Sequence, residues 1–205
     1  MHYKHLTYGS LFHPSGNSVR ATLGMLSLPI LLLIPGLLLA AWSAMSALVW
    51  LFPLSRWQEM MFERMSSDHV TAIVGTCILA PFLEEMLFRG IILRSFLLQY
   101  TRRFSILASA ALFGIAHMNL YQFAIGLAIG ILAGWIYERA RSIWPCILLH
   151  GAYNTSLVVI DNSRDKLDTT DVPSISPLLW LAAAVLAFVG TSLLQRILVP
   201  RKVAL

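Results

Sequence analysis

Five ionisable side chains interrupt otherwise apolar stretches of this sequence: Glu84, Glu85, Arg89, His117 and His150. Asn154 follows the last of them by four residues. At the centre of a membrane helix a charged side chain costs roughly 2.5–3.5 kcal/mol on insertion scales, so a chain that spares charge elsewhere keeps these groups for a function. Glu85 and Arg89 are four apart, share one helix face and read as an ion pair that lowers the cost of both charges. Glu84 lies about 100° further around the same helix and is the carboxylate left free for chemistry. His150 and Asn154, also four apart, aim two donors at one point. Such a pair suits an oxyanion; its plainer use is polar contact between helices, worth about 0.6 kcal/mol each. His117, taken alone, is more often a hydrogen-bonded core residue than a catalyst. Taken together, a free carboxylate as general base, a water and an oxyanion site are the parts of a peptide hydrolase. Neither Gly-x-Ser-x-Gly nor His-Glu-x-x-His occurs. A metal alternative stands beside this, because Glu84, His117 and His150 have the donor types of a zinc site with an open position. The base mechanism itself needs no cofactor.

The elements that carry these residues follow from charge and hydropathy. The chain has 205 residues, 58% of them hydrophobic and only 12% charged. Its mean hydropathy is +0.72. A soluble fold of this size has too much surface to hide so much apolar area. These figures exclude an ordinary soluble enzyme, a disordered chain and a disulfide scaffold. They predict an all-α, polytopic membrane helix bundle. Residues 21–55, 104–137, 142–160 and 172–195 contain no Asp, Glu, Lys or Arg. As one helix, 104–137 would be about 51 Å long against a hydrocarbon core of roughly 30 Å, so it is divided near Met118–Gln122. With a further span running from Val70 into the Glu84-Glu85 pair, about six transmembrane helices result: 23–53, 70–99, 104–118, 121–138, 142–160 and 178–198. The first is far longer than the h-region of a signal peptide and is expected to remain uncleaved. Residues 161–177, polar and acidic, are expected to form a surface loop. Residues 1–22 form an N-terminal segment and 23–205 a single bundle.

This layout collects eleven basic residues on one side, among them Arg94, Arg102, Arg103, Arg139 and Arg141, against Arg56, Arg64, Arg164 and Lys166 on the other. By the positive-inside rule both termini are cytoplasmic. The net charge of +5 is thereby assigned to membrane orientation, and no nucleic-acid partner is expected. Cys77 and Cys146 lie in apolar segments without a CxxC and read as buried small residues. Pro81 removes a backbone hydrogen bond three residues before Glu84 and predicts a kink, leaving the Cys77 carbonyl without its α-helical partner. Gly126, Gly130 and Gly134 form a ridge of small residues, read as close helix packing inside the monomer.

The three polar groups also carry a resemblance. Ala80-Pro81-Phe82-Leu83-Glu84-Glu85-Met86-Leu87-Phe88-Arg89-Gly90 is similar to the EExxxR motif of the CAAX protease and bacteriocin-processing (CPBP) family. Phe113-Gly114-Ile115-Ala116-His117 resembles its FxxxH motif, and His150-Gly151-Ala152-Tyr153-Asn154 its HxxxN motif. The stretch from Gly126 to Pro145 looks like the linker between the last two. The resemblance covers about 70–160. It implies an intramembrane glutamic-type endopeptidase, in which Glu84 and His117 activate a water, His150 and Asn154 stabilise the oxyanion, and Glu85 and Arg89 support the site. It further implies a peptide or protein substrate within or at the bilayer and a multi-pass protein of the bacterial cytoplasmic membrane. A non-catalytic bacteriocin-immunity or peptide-binding protein built on the same bundle is the alternative. Substrate identity and oligomeric state stay open at this level.

Overall fold

A computed structural model describes residues 7–65, 70–167 and 176–199, and every element among them is helical. In chain order these are α1 (Tyr8–Phe12), α2 (Val19–Leu51), α3 (Arg56–Met65), then a composite helix over 70–97, α7 (Arg102–Ile115), α8 (Leu120–Ala140), α9 (Trp144–Leu167) and α10 (Pro177–Leu198). The composite helix is α-helical at α4 (Val70–Val74), π-helical at Gly75–Leu79, α-helical at α5 (Ala80–Glu85), π-helical at Met86–Leu93 and α-helical again at α6 (Arg94–Leu97). Among the described residues three helices, α2, α8 and α10, are long and apolar enough to cross a membrane.

Local sequence sets the ends. The division of 104–137 falls at Ala116–Asn119 without Gly or Pro. Met118 takes a left-handed φ of 50°, and the Asn119 side chain accepts hydrogen bonds from the Tyr121 and Gln122 amides. Asn at an N-cap satisfies amides that have no intrahelical partner. Thr101 caps α7 in the same way through the Phe104 amide. At the far end of α8, Arg141 at φ 50° is a left-handed C-cap. The expected surface loop 161–177 is corrected in its first part: α9 continues through Leu167. Charge at Asp161 ends the apolar span, but nothing there breaks a helix. At about 1.5 Å per residue the 24 residues of α9 extend beyond the roughly 30 Å hydrocarbon core. Most of the remaining expected loop, 168–175, lies outside the described residues. The segment assigned to 1–22 is also more structured than expected. α1 packs on the composite helix, the Ile143 amide donates to the Phe12 carbonyl at 3.0 Å, and α2 already starts at Val19.

The core is formed where α2, α8, α9 and α10 meet, from Leu26, Ile30, Ala133, Ile136, Leu149 and Leu194 among others. The α7–α8 hairpin packs along the small-residue ridge. A Cβ on Gly130 would stand 2.9 Å from the Ala110 Cβ, and one on Gly134 would stand 3.2 Å from Ile106. The ridge thus serves helix contact within the chain. At the basic end of the hairpin, buried Glu138 binds Arg102 at 3.2 Å and Arg139 at 3.0 Å, tying the start of α7 to the end of α8. At the opposite end the Tyr121 hydroxyl donates to the Phe52 carbonyl, joining the start of α8 to the end of α2.

Candidate active site

The site forms where the composite helix meets α7, α8 and α9. Glu85 and Arg89 are buried, with the guanidinium Nη1 donating to the carboxylate at 2.8 Å. Arg89 also donates through Nη2 to the Gly130 carbonyl of α8 at 3.2 Å. Its guanidinium lies 4.6 Å from the centroid of the Phe113 ring of α7. A planar cation can satisfy a carboxylate, a carbonyl and a ring face at once, and each contact offsets part of its desolvation. The same Glu85 oxygen lies 3.0 Å from His150 Nδ1 of α9. The ion pair read from the i,i+4 spacing is therefore one part of a buried Arg89–Glu85–His150 chain.

With Nδ1 held on Glu85, the other ring nitrogen of His150 is directed at Glu84. His150 Nε2 stands 3.9 Å from Glu84 Oε2, beyond hydrogen-bond reach. That Glu84 oxygen is buried and has no hydrogen-bond partner, while the side chain as a whole is 33% exposed. Glu84 and Glu85 are thus separated in role by their places on the helix. One is locked inside an ion-pair network; the other faces both His150 and the outside. His150 is six residues past Trp144, about 9 Å along the axis of α9 at 1.5 Å per residue, which puts the group inside the apolar length of the bundle.

His117 follows the end of α7. Its Nδ1 lies 3.0 Å from the Phe113 carbonyl, which fixes that nitrogen as the protonated one in the neutral ring and leaves Nε2 as an acceptor. Phe113 holds the three motifs together. His117 and His150 both meet its ring edge-on, at centroid distances of 5.2 and 5.5 Å, and Phe88 does so at 5.1 Å. Sequence reasoning places Phe113 inside a motif without giving it this task.

Asn154 lies one turn along α9 from His150, and its amide is engaged: Nδ2 donates to the Thr76 carbonyl at 3.0 Å. Gly151, between them, lets α9 approach the backbone of the composite helix, since a Cβ there would stand 3.1 Å from the Cys77 carbonyl oxygen. The kink expected at Pro81 takes the form of a π-helical stretch ending just before α5, with the Ala80 amide bonded to the Gly75 carbonyl. In that register the carbonyl that loses its donor to Pro81 is Thr76, one residue before the Cys77 of the α-helical expectation. A second π-helical stretch follows Glu85, where Ser109 of α7 donates to the Phe88 carbonyl at 3.1 Å. Insertions of this kind recur at functional sites.

Among the described residues no three His, Cys, Asp or Glu side chains are grouped so as to hold a metal ion. Glu84, His117 and His150 are the candidate zinc set of the sequence. His150 has Nδ1 on Glu85 and His117 has Nδ1 on a backbone carbonyl, which leaves the Nε2 atom of each ring available; a metal-ligating imidazole is held in the same way on its far nitrogen.

A bundle of apolar helices in which Arg89, His117 and His150 meet one aromatic ring, with Glu85 and Glu84 beside His150, defines a membrane protein with a buried polar site. Residues 66–156, which contain all three motifs, match the family described as type II CAAX prenyl endopeptidase Rce1-like. The match is with the family whose motifs the sequence resembles. The chain is 33% identical over 88 residues to the Bacillus subtilis (strain 168) protein named "Putative membrane peptidase YdiL", covering 43% of this chain and 36% of that one. The chain thus spans about a third of the length of the curated relative it matches. No solved structure matches it.

Proposed function

We propose that this protein is an intramembrane endopeptidase of the glutamic type, hydrolysing a peptide bond of a membrane-associated or small peptide substrate. The observation that carries the reading is the unequal pair: Glu85 is neutralised within the Arg89–Glu85–His150 chain, while Glu84 is left partly exposed, facing the free side of His150. In the proposed reaction Glu84, helped by the free Nε2 of His117, takes a proton from a water whose oxygen attacks the scissile carbonyl carbon. In its doubly protonated form His150 donates through Nε2–H to the resulting oxyanion, held in place by Glu85. The second N–H of the Asn154 amide is the other donor. The proton on Glu84 then passes to the departing amide nitrogen as the C–N bond breaks, giving a carboxylic acid and an amine, and the acid ionises by releasing its proton to water. Glu85 and Arg89 position the imidazole and do not touch the substrate.

The six-span layout with cytoplasmic termini belongs to the same proposal. Reporters fused after Arg103 or Arg141 should read as cytoplasmic, and one placed between α9 and α10 should read as the opposite face. A cytoplasmic signal from the α9–α10 connection contradicts the layout.

The activity is tested with protein reconstituted in liposomes and a panel of small membrane-associated peptides, with products identified by mass spectrometry. Internal cleavage is the expected result, and its rate should not change after exhaustive treatment with a strong divalent-metal chelator. Activity lost to the chelator and restored by zinc would replace the carboxylate mechanism with the metal one. Tight peptide binding without cleavage would favour the immunity or binding alternative.

A further inference from the structure

The oxyanion role given to Asn154 accounts for only one of its two amide protons. The other is spent on the Thr76 carbonyl, a group with no backbone partner in either helical register. In the α-helical pattern the donor to Thr76 would be the Ala80 amide, but that amide bonds to Gly75. In the π-helical pattern it would be the amide of residue 81, which is proline and has no N–H. An unsatisfied backbone carbonyl inside an apolar bundle is costly, and helix breaks at membrane depth persist where neighbouring groups supply the missing bonds. The break lies directly before α5, the single turn and a half that carries Glu84 and Glu85. α9 therefore holds the composite helix on both sides of Pro81, His150 on Glu85 of α5 and Asn154 on Thr76 of the π-helical stretch before it, with Gly151 allowing the approach between them.

We propose that Asn154 is a positioning residue for Glu84: its side-chain amide replaces the backbone donor that Pro81 removes and so fixes the helical register, and hence the direction, of the catalytic carboxylate. Pro81 and Asn154 form one device, in which the proline opens the π-helical stretch and the amide closes its open bond. For its effect on turnover the inference rests on the proposed endopeptidase reading; for its effect on the helix it does not.

The test is a double-mutant cycle of Pro81→Ala and Asn154→Ala, read by thermal unfolding in detergent and by cleavage of a peptide that the wild type cuts. An alanine at position 81 returns an N–H that reaches Thr76 in the existing register. In the wild-type background Asn154→Ala should lower kcat with little change in KM, by about tenfold beyond the roughly 10²–10³-fold cost of one oxyanion donor, and should lower the melting temperature. In the Pro81→Ala background the loss of melting temperature should largely disappear and the loss of kcat should shrink to the share owed to the oxyanion donor. Equal losses in the two backgrounds would overturn the proposal and leave Asn154 as an oxyanion donor alone. Hydrogen exchange of the peptide covering 74–85 supplies a readout independent of Pro81→Ala and of catalysis. Asn154→Ala should speed exchange there, and unchanged exchange would equally overturn the proposal. Should wild-type protein cleave nothing, the unfolding and exchange arms still decide the inference, so its failure and that of the endopeptidase reading remain distinct.

Discussion

Glu84→Gln protein should fold and bind peptide as the wild type does, and cleave it about 10²–10⁴-fold more slowly, the usual contribution of a positioned general base. The substitution keeps the side chain's volume and leaves the buried network untouched, because Glu84 makes no hydrogen bond to Glu85 or Arg89 and stands 3.9 Å from His150. Its melting temperature should stay near that of the wild type. His117→Ala should lower turnover in the same sense, since His117 is assigned to the same water, but it also removes the ring that packs against Phe113. Glu84→Gln is therefore the cleaner of the two. Full proteolysis by well-folded Glu84→Gln protein would remove Glu84 from the chemistry.

The second large effect falls on stability. Replacing Arg89 with Met leaves the Glu85 carboxylate buried without its cation, and replacing Glu85 with Gln leaves Arg89 buried without its anion. Either change should cost on the order of 3–5 kcal/mol, a large part of a total stability of about 5–15 kcal/mol. The double variant should lose less than the sum of the two, because it leaves no isolated charge. Thermal unfolding of the four proteins in detergent gives the coupling directly. Unchanged stability in Glu85→Gln combined with complete loss of turnover would move Glu85 from support into the reaction.

The legible parts of this fold are those governed by a single element. The four-residue spacing of Glu85 and Arg89 predicts their ion pair, and the pair is there at 2.8 Å. The excess length of 104–137 predicts a break. The cap at Asn119 that makes it is readable in principle, since Asn before Leu-Tyr-Gln is an N-terminal signal. Charge misleads at the end of α9, because polar residues terminate a membrane span without terminating a helix. The short α1 and α3 have no long apolar run to announce them. What stays hidden requires knowledge of which helices touch. Phe113 gains its role only when Arg89, His117 and His150 gather around its ring. Glu138 gains its own from Arg102, which is 36 positions away along the chain. The Asn154–Thr76 bond depends on a π register that moves the orphaned carbonyl by one residue, and composition carries no trace of that shift.

Whether Glu84 activates a water or attacks the peptide itself is decided by a single turnover in water enriched in oxygen-18. Purified protein in excess over a peptide substrate is mixed with labelled water, and the products and residue 84 are read by mass spectrometry. One oxygen-18 is expected in the new C-terminal carboxylate of the peptide and none in Glu84. Label in Glu84 together with an unlabelled product carboxylate in that first turnover would mean that the carboxylate itself attacks the peptide, and would rule out Glu84 as the base that activates a water.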